Sequence, residues 1–251
     1  MIIRKATGIP TLLLLMISYP LSVGATQGPV DHSIYGRLLK AHVIEGRVDY
    51  GGFKKDEAQL DAYLAALTAI DPGALAKQEQ MAFYINAYNA WTIKLILGAW
   101  PDLNSIKDLG GLFQSPWKKS FVKLKQRVVS LDHIEHNILR PRYKDPRIHF
   151  AINCASISCP PLLNAPYTGS ELDRQLEVAT TNFINDPDNN YIKGDALHVS
   201  KIFKWFNEDF NGDVYGFFKR YARGELKQQL ASSGADLKIK YTPYDWGLNN
   251  I

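Results

Sequence analysis

From Met81 to Leu97 the chain is apolar around almost the whole circumference of a helix, and Gly98 and Pro101 mark its end. A helix without a polar face has no side to give to water, so this one belongs at the centre of the molecule with other elements packed on every side. Asn86 and Asn89 share one of its faces. A buried carboxamide left without partners costs on the order of 1–3 kcal/mol. The pair therefore either ties the helix to neighbouring backbone or orients something in a site, which makes Asn86 a candidate orienter and Asn89 a candidate ligand contact.

Around this helix the remaining elements follow from periodicity and punctuation. Ile34, Tyr35, Leu38, Leu39 and Val43 have helical spacing before Gly46, and Leu60, Tyr63, Leu64 and Leu67 line one face of a second helix that Asp71-Pro72-Gly73 ends. Alternation over 121–129 predicts a hairpin with a basic outer face of Lys118, Lys119, Lys123, Lys125 and Arg127. Ser130 then caps a helix with Leu131, Ile134, Ile138 and Leu139 inward, expected to stop at Pro141. Ser170 opens another amphipathic helix, residues 191–199 form a second hairpin, Ser200 precedes a helix bearing Ile202, Phe203, Trp205 and Phe206, and helix near 214–230 leads to a last strand at 237–241. Helices first, then hairpins mixed with helices, predict an α+β fold, a single domain with several helices around a mostly antiparallel sheet and a buried central helix.

The chain has 251 residues, 46% hydrophobic and 22% charged, enough to bury a real core. Arg4 and Lys5, the apolar run Leu12 to Ile17 and the small residues Val23-Gly24-Ala25 predict a cleaved signal peptide over residues 1–25, followed by one domain over 26–251 in the periplasm or outside the cell. The apolar run is short and Ser18 and Pro20 interrupt its continuation, so no stable membrane span is expected after cleavage. Removing Arg4 and Lys5 lowers the formal charge from +4 to +2, a near-balanced surface that predicts no nucleic-acid partner and gives the lysine cluster a solubility and edge-protection role.

Both cysteines and a histidine fall in Arg147-Ile148-His149-Phe150-Ala151-Ile152-Asn153-Cys154-Ala155-Ser156-Ile157-Ser158-Cys159. Read as a strand over 147–153, the run puts Arg147, His149 and Asn153 on one face as candidate polar or ligand-binding residues, with His149 towards the asparagine helix and Cys154 on the opposite parity. Three readings compete for the thiols: a Cys154–Cys159 disulfide, allowed in an exported protein; a nucleophilic Cys154 with its pKa lowered by an imidazole or a helix end; and zinc on Cys154, Cys159, His149 and an outside ligand. A reversible disulfide reconciles the first two. Zinc lacks an identifiable fourth ligand, and His133 and His136, although three apart, lack further ligands at a zinc spacing, so neither a metal nor any other cofactor is expected.

Five runs resemble the motifs of the domain-of-unknown-function 547 family: 82–90, Ala-Phe-Tyr-Ile-Asn-Ala-Tyr-Asn-Ala; 130–140, Ser-Leu-Asp-His-Ile-Glu-His-Asn-Ile-Leu-Arg; 145–156, Asp-Pro-Arg-Ile-His-Phe-Ala-Ile-Asn-Cys-Ala-Ser; 158–162, Ser-Cys-Pro-Pro-Leu; and Tyr244-Asp245-Trp246. They stand in order, and the resemblance covers nearly the whole chain after the expected signal peptide, from about Ile34 to Asn249. The resemblance implies an exported bacterial protein without an assigned activity, and plant relatives that do not all keep both cysteines. A buried helix on a sheet with a nearby histidine is also similar to papain-like and transglutaminase-like thiol enzymes, in which the nucleophile opens the central helix.

Two functions follow as expectations. One is a thiol-dependent hydrolase or acyl transferase with Cys154 as nucleophile, His149 or His136 as base and Asn86 or Glu135 as orienter. The other is a non-catalytic periplasmic binding or assembly module with a structural Cys154–Cys159 bridge and a polar pocket. In either case the partner is an unidentified small molecule or peptide.

Overall fold

A computed structural model describes residue 2 and residues 28–111, 114–125, 127–233 and 237–251; apart from Ile2, the expected signal peptide lies outside them. The helix Lys77–Leu97 is the axis of the molecule, with nearly every side chain from Met81 to Ile93 buried. Helices Ser33–His42, Tyr50–Lys55 and Glu57–Ala69 pack beside it. Lys94, near its C-terminal end, pairs with Glu57 at 2.8 Å and with Asp61. Among the described residues no helix is long and apolar enough to cross a membrane.

The fold is mixed α+β, as the order of elements predicts, but the strands do not form one sheet. Val43–Ile44 (β1) pairs with Arg47–Val48 (β2), and Val122–Leu124 (β3) with Arg127–Val129 (β4), both antiparallel. In the third sheet Tyr191–Lys193 (β5) runs antiparallel to Ala196–Val199 (β6), whereas Lys238–Tyr241 (β7) joins β6 in parallel. The helices Ile202–Trp205, Val214–Tyr221 and Gly224–Ser232 between β6 and β7 form the long crossover that a parallel pair needs.

The expected strand over 147–153 is a correction. Residues Pro146–Phe150 form a 3₁₀ helix that the Asp145 carboxylate caps by accepting the Arg147 N–H at 3.0 Å. Three residues per turn send consecutive side chains in three directions rather than two. Ile148 enters the core around the central helix, Phe150 enters a second core with Phe183, Phe203 and Phe218, and His149 points between them. The alternating pattern was real, but Pro at the first helical position and an Asx turn before it decide for the helix.

The helix opened by Ser130 does not stop at Pro141. Its first turn, Leu131–His133, is α-helical and its last, Arg140–Tyr143, is α-helical again, but Ile134–Leu139 between them is π-helical. Pro141 cannot fit the regular ladder because it lacks an N–H and its ring crowds the carbonyl four residues back; the widened turn before it removes that conflict.

Candidate functional site

The loop after Phe150 is held by amides. Asn89 accepts the Asn153 N–H at 2.8 Å and donates to the Ala151 carbonyl at 2.9 Å. The Asn153 side chain donates to the Pro160 carbonyl at 2.8 Å and accepts the Ala155 N–H at 2.8 Å, so it closes the loop around Cys154 from inside. Ala155 is in the left-handed region at φ 61°, a conformation that costs a non-glycine residue energy and persists where neighbours fix it. A strap of residues 244–250 does so from the other side. Asn249 donates its N–H to the Ala155 carbonyl, Ile157 donates to Gly247, and Ser158 donates to Asp245, at 3.1, 2.8 and 3.2 Å.

The strap brings Tyr244 to the thiol. The Cys154 sulfur lies 3.0 Å from the Ser156 hydroxyl and 3.2 Å from the Tyr244 hydroxyl, and those two oxygens are 3.1 Å apart. Burial alone would push the Cys154 thiol up, but hydrogen bonds from Cys159, from the Ser156 hydroxyl and backbone N–H, and from Tyr244 outweigh it and bring the thiol down to about 7. Cys159 moves the other way. Burial, then its hydrogen bond with Cys154 and that group's charge, hold it well above an ordinary thiol.

The expected Cys154–Cys159 disulfide is not formed, and both cysteines are free. The Cys159 sulfur instead accepts the Cys154 backbone N–H at 2.8 Å, packing against the main chain of Cys154. The two thiols are hydrogen-bonded rather than bonded covalently, and the Cys154 sulfur also meets Ser156 and Tyr244.

Cys154 opens onto a cavity of about 210 Å³ walled by Trp117, Trp205, Phe206, Tyr244 and Trp246. His149 and Glu135 reach the same cavity. The His149 ring is 1% exposed, stacks on Phe206 with centroids 4.0 Å apart, and puts Nε2 2.6 Å from the Asp209 carboxylate. Burial lowers its pKa more than Asp209 raises it, so the imidazole is neutral at pH 7. With Nε2–H donated to Asp209, the Nδ1 lone pair is free, 3.9 Å from Glu135 Oε1. Burial raises Asp209, but hydrogen bonds from His149 and Arg140 prevail and hold its carboxyl well below the usual carboxylate range.

Glu135 enters the cavity from the π-helical turn, while burial first, then the charge of Cys154, push its carboxyl up to about 8. His136 is more exposed and its Nδ1 lies 2.8 Å from the Arg140 guanidinium, which also holds Asp209 and Glu208. Among the described residues no group of three or more His, Cys, Asp or Glu side chains is arranged to hold a metal ion.

Cys154, His149, His136 and Glu135 thus meet at one cavity. Asn86 does not reach it; its carboxamide accepts the Tyr167 N–H at 2.9 Å, donates to the Tyr167 carbonyl at 2.7 Å and lies 3.2 Å from His32 Nε2. Arg147 also faces elsewhere, held by Asp145, Asp173 and Glu177. His149 does not share a face with Asn153 because the 3₁₀ turn separates them. Asp209, Trp117, Trp205 and Phe206 lie in none of the five motifs, whereas Ser156, Tyr244 and Trp246 do lie in them but carry no signal of a role beside the thiol.

Residues 72–184 match the family model described as protein of unknown function, DUF547. The chain carries a DUF547 domain over these residues. The match is shorter than the run of motifs in the sequence suggested. The DUF547 domain contains Glu135, His149 and both cysteines, whereas Asp209, Trp205 and Tyr244, which complete the cavity, come from beyond it. No curated protein matches the chain, and no solved structure does, so no papain-like fold is shown.

Proposed function

We propose that the protein is a thiol-dependent hydrolase or acyl transferase. The observation that carries this reading is a Cys154 sulfur within reach of two hydroxyls, in an aromatic-walled cavity it shares with the Asp209-oriented His149. Cys154 forms no hydrogen bond with His149 among the described residues, so the two act in succession across the cavity. The thiol first gives its proton to solvent in the cavity, and the thiolate, held by Ser156 and Tyr244, attacks an acyl carbonyl; the carbon–sulfur bond forms, the bond to the leaving group breaks, and the leaving group departs as an anion or takes up a proton from the same solvent. In the second half His149 Nδ1 takes a proton from water or an acceptor hydroxyl, which attacks the thioester and frees the thiol. Asp209 holds the imidazole in the tautomer that leaves Nδ1 basic.

A free thiol with a lowered pKa favours this reading over a non-catalytic module stapled by a bridge. Incubation with 4-nitrophenyl acetate should release one equivalent of nitrophenolate in a burst and leave an acetyl group on Cys154, found by peptide mass. C154A should give neither. An adduct elsewhere, or acylation of Cys154 no faster than that of a free cysteine, would overturn the proposal.

A further inference from the structure

The thiol chemistry leaves Glu135 unused, because Asp209 already orients His149. Glu135 is 9% exposed and lines the cavity, and its carboxyl makes no hydrogen bond among the described residues. Its nearest ring nitrogen, His149 Nδ1, stands at 3.9 Å, beyond hydrogen-bond reach. Arg140, on the same helix, is committed to Asp209 and Glu208. What remains accessible of the Glu135 side chain, 11%, is towards the cavity it lines, so the cavity is the direction from which a donor can arrive.

The cavity's chemistry says which donor fits. Asp132 lines it beside Glu135, and among the described residues no Lys or Arg does. Its wall offers aromatic rings in mutual contact: Trp205 to Tyr244 at 4.8 Å, Tyr244 to Trp246 at 4.5 Å and Trp117 to Trp246 at 5.7 Å between centroids. Lys107 already lies 3.8 Å over the Trp246 ring and Arg140 5.1 Å over Phe206, so the rings left to a ligand cation are Trp205, Tyr244 and Trp117, beside the carboxyl groups. An anion would meet Asp132 and the Cys154 thiolate, and a quaternary ammonium has no N–H for Glu135.

We propose that the cavity binds a primary ammonium group carried on a small aromatic or apolar body, with Glu135 as its hydrogen-bonding counter-ion. On the thiol reading, on which this part rests, the acyl substrates are amine-bearing ones. The groups that face Glu135 are Cys154, Asp132, Asp209, Arg140, Tyr88 and His149. In the empty protein the carboxyl titrates at about 8, so at pH 7 it carries its proton. An ammonium beside it forces ionisation, and binding releases that proton.

Benzylammonium is the probe, titrated into the full chain by calorimetry at pH 7 in buffers of different ionisation enthalpy. Binding should release about one proton per ligand, and benzyl alcohol should bind at least about tenfold more weakly. Benzoate should not bind. The release should persist in C154A, which excludes the thiol as its source, and disappear with the ammonium preference in E135Q. The proton count on the unaltered protein stands even if E135Q does not fold. Equal affinity for benzylammonium and benzyl alcohol, binding without proton release, or no binding of benzylammonium would overturn the inference. If Cys154 is acylated by 4-nitrophenyl acetate while benzylammonium shows no preference, only the ammonium inference fails; if benzylammonium binds with proton release and no adduct forms, only the thiol reading fails.

Discussion

Tyr244 and Cys154 stand 90 positions apart in the chain, yet the phenol oxygen lies 3.2 Å from the sulfur. That contact is one of the hydrogen bonds that hold the thiol at about 7. Y244F keeps the ring against Trp205 and Trp246 but removes the hydroxyl, so the thiol pKa should rise and alkylation by iodoacetamide at pH 7 should slow about threefold to tenfold. Its rate against pH, followed by mass spectrometry, checks this. An unchanged midpoint would mean that Cys159 and Ser156 set the thiol without Tyr244.

Asp209 should matter more to the second half-reaction than to the first. D209N weakens the carboxylate hold on His149 Nε2 and favours the tautomer with Nδ1 protonated, so hydrolysis of acetyl-Cys154 should fall by roughly a hundredfold or more. Acetylation itself, which depends on the thiolate, should change little. Single-turnover rates of the two steps separate these effects.

Glu135 gives a pH dependence with a definite sign. Its carboxyl titrates at about 8 in the folded protein against an ordinary 4.5, so the native state holds the proton more tightly. The resulting stability is fully present below the unfolded value and is lost as pH rises through the folded one. Relative to E135Q, which imitates the protonated form, the wild type should therefore lose stability between about pH 4.5 and 8, by an amount on the order of a few kcal/mol. Melting temperatures of both proteins across that range test it; a constant gap would show that Glu135 is ionised in the native state.

Asn86 and Asn89 look alike in the sequence but should fail differently. Each satisfies buried backbone groups, so alanine at either should cost on the order of 1–3 kcal/mol for each group left unpaired. N89A frees the Asn153 N–H beside the thiol loop and should also slow alkylation of Cys154, whereas N86A releases the Tyr167 backbone and His32, away from the thiol, and should leave it unchanged. Denaturant melts paired with labelling rates distinguish them.

What the sequence made legible follows from where its signal is local. The central helix, both hairpins and the Ser130 cap were readable because apolar period, turn residues and capping chemistry each act within a few positions. The run 147–153 misled because alternation is equally consistent with a strand and with a turn that distributes side chains among two cores and a cavity. The parallel partner of β6 and the Asp209–His149 pair were hidden for another reason. Both depend on long-range docking, and no residue near Asp209 reveals that a buried imidazole waits 60 positions away.

The strap over 244–250 has a consequence for when the surroundings of Cys154 are completed. Chain that has folded only through the DUF547 span would hold Cys154 without Tyr244, without the Asn249 clasp on Ala155 and with Trp117 alone of the aromatic wall. The sulfur's surroundings are therefore complete only when the C-terminal strap has docked, so the thiol should report on the folding of the chain's far end.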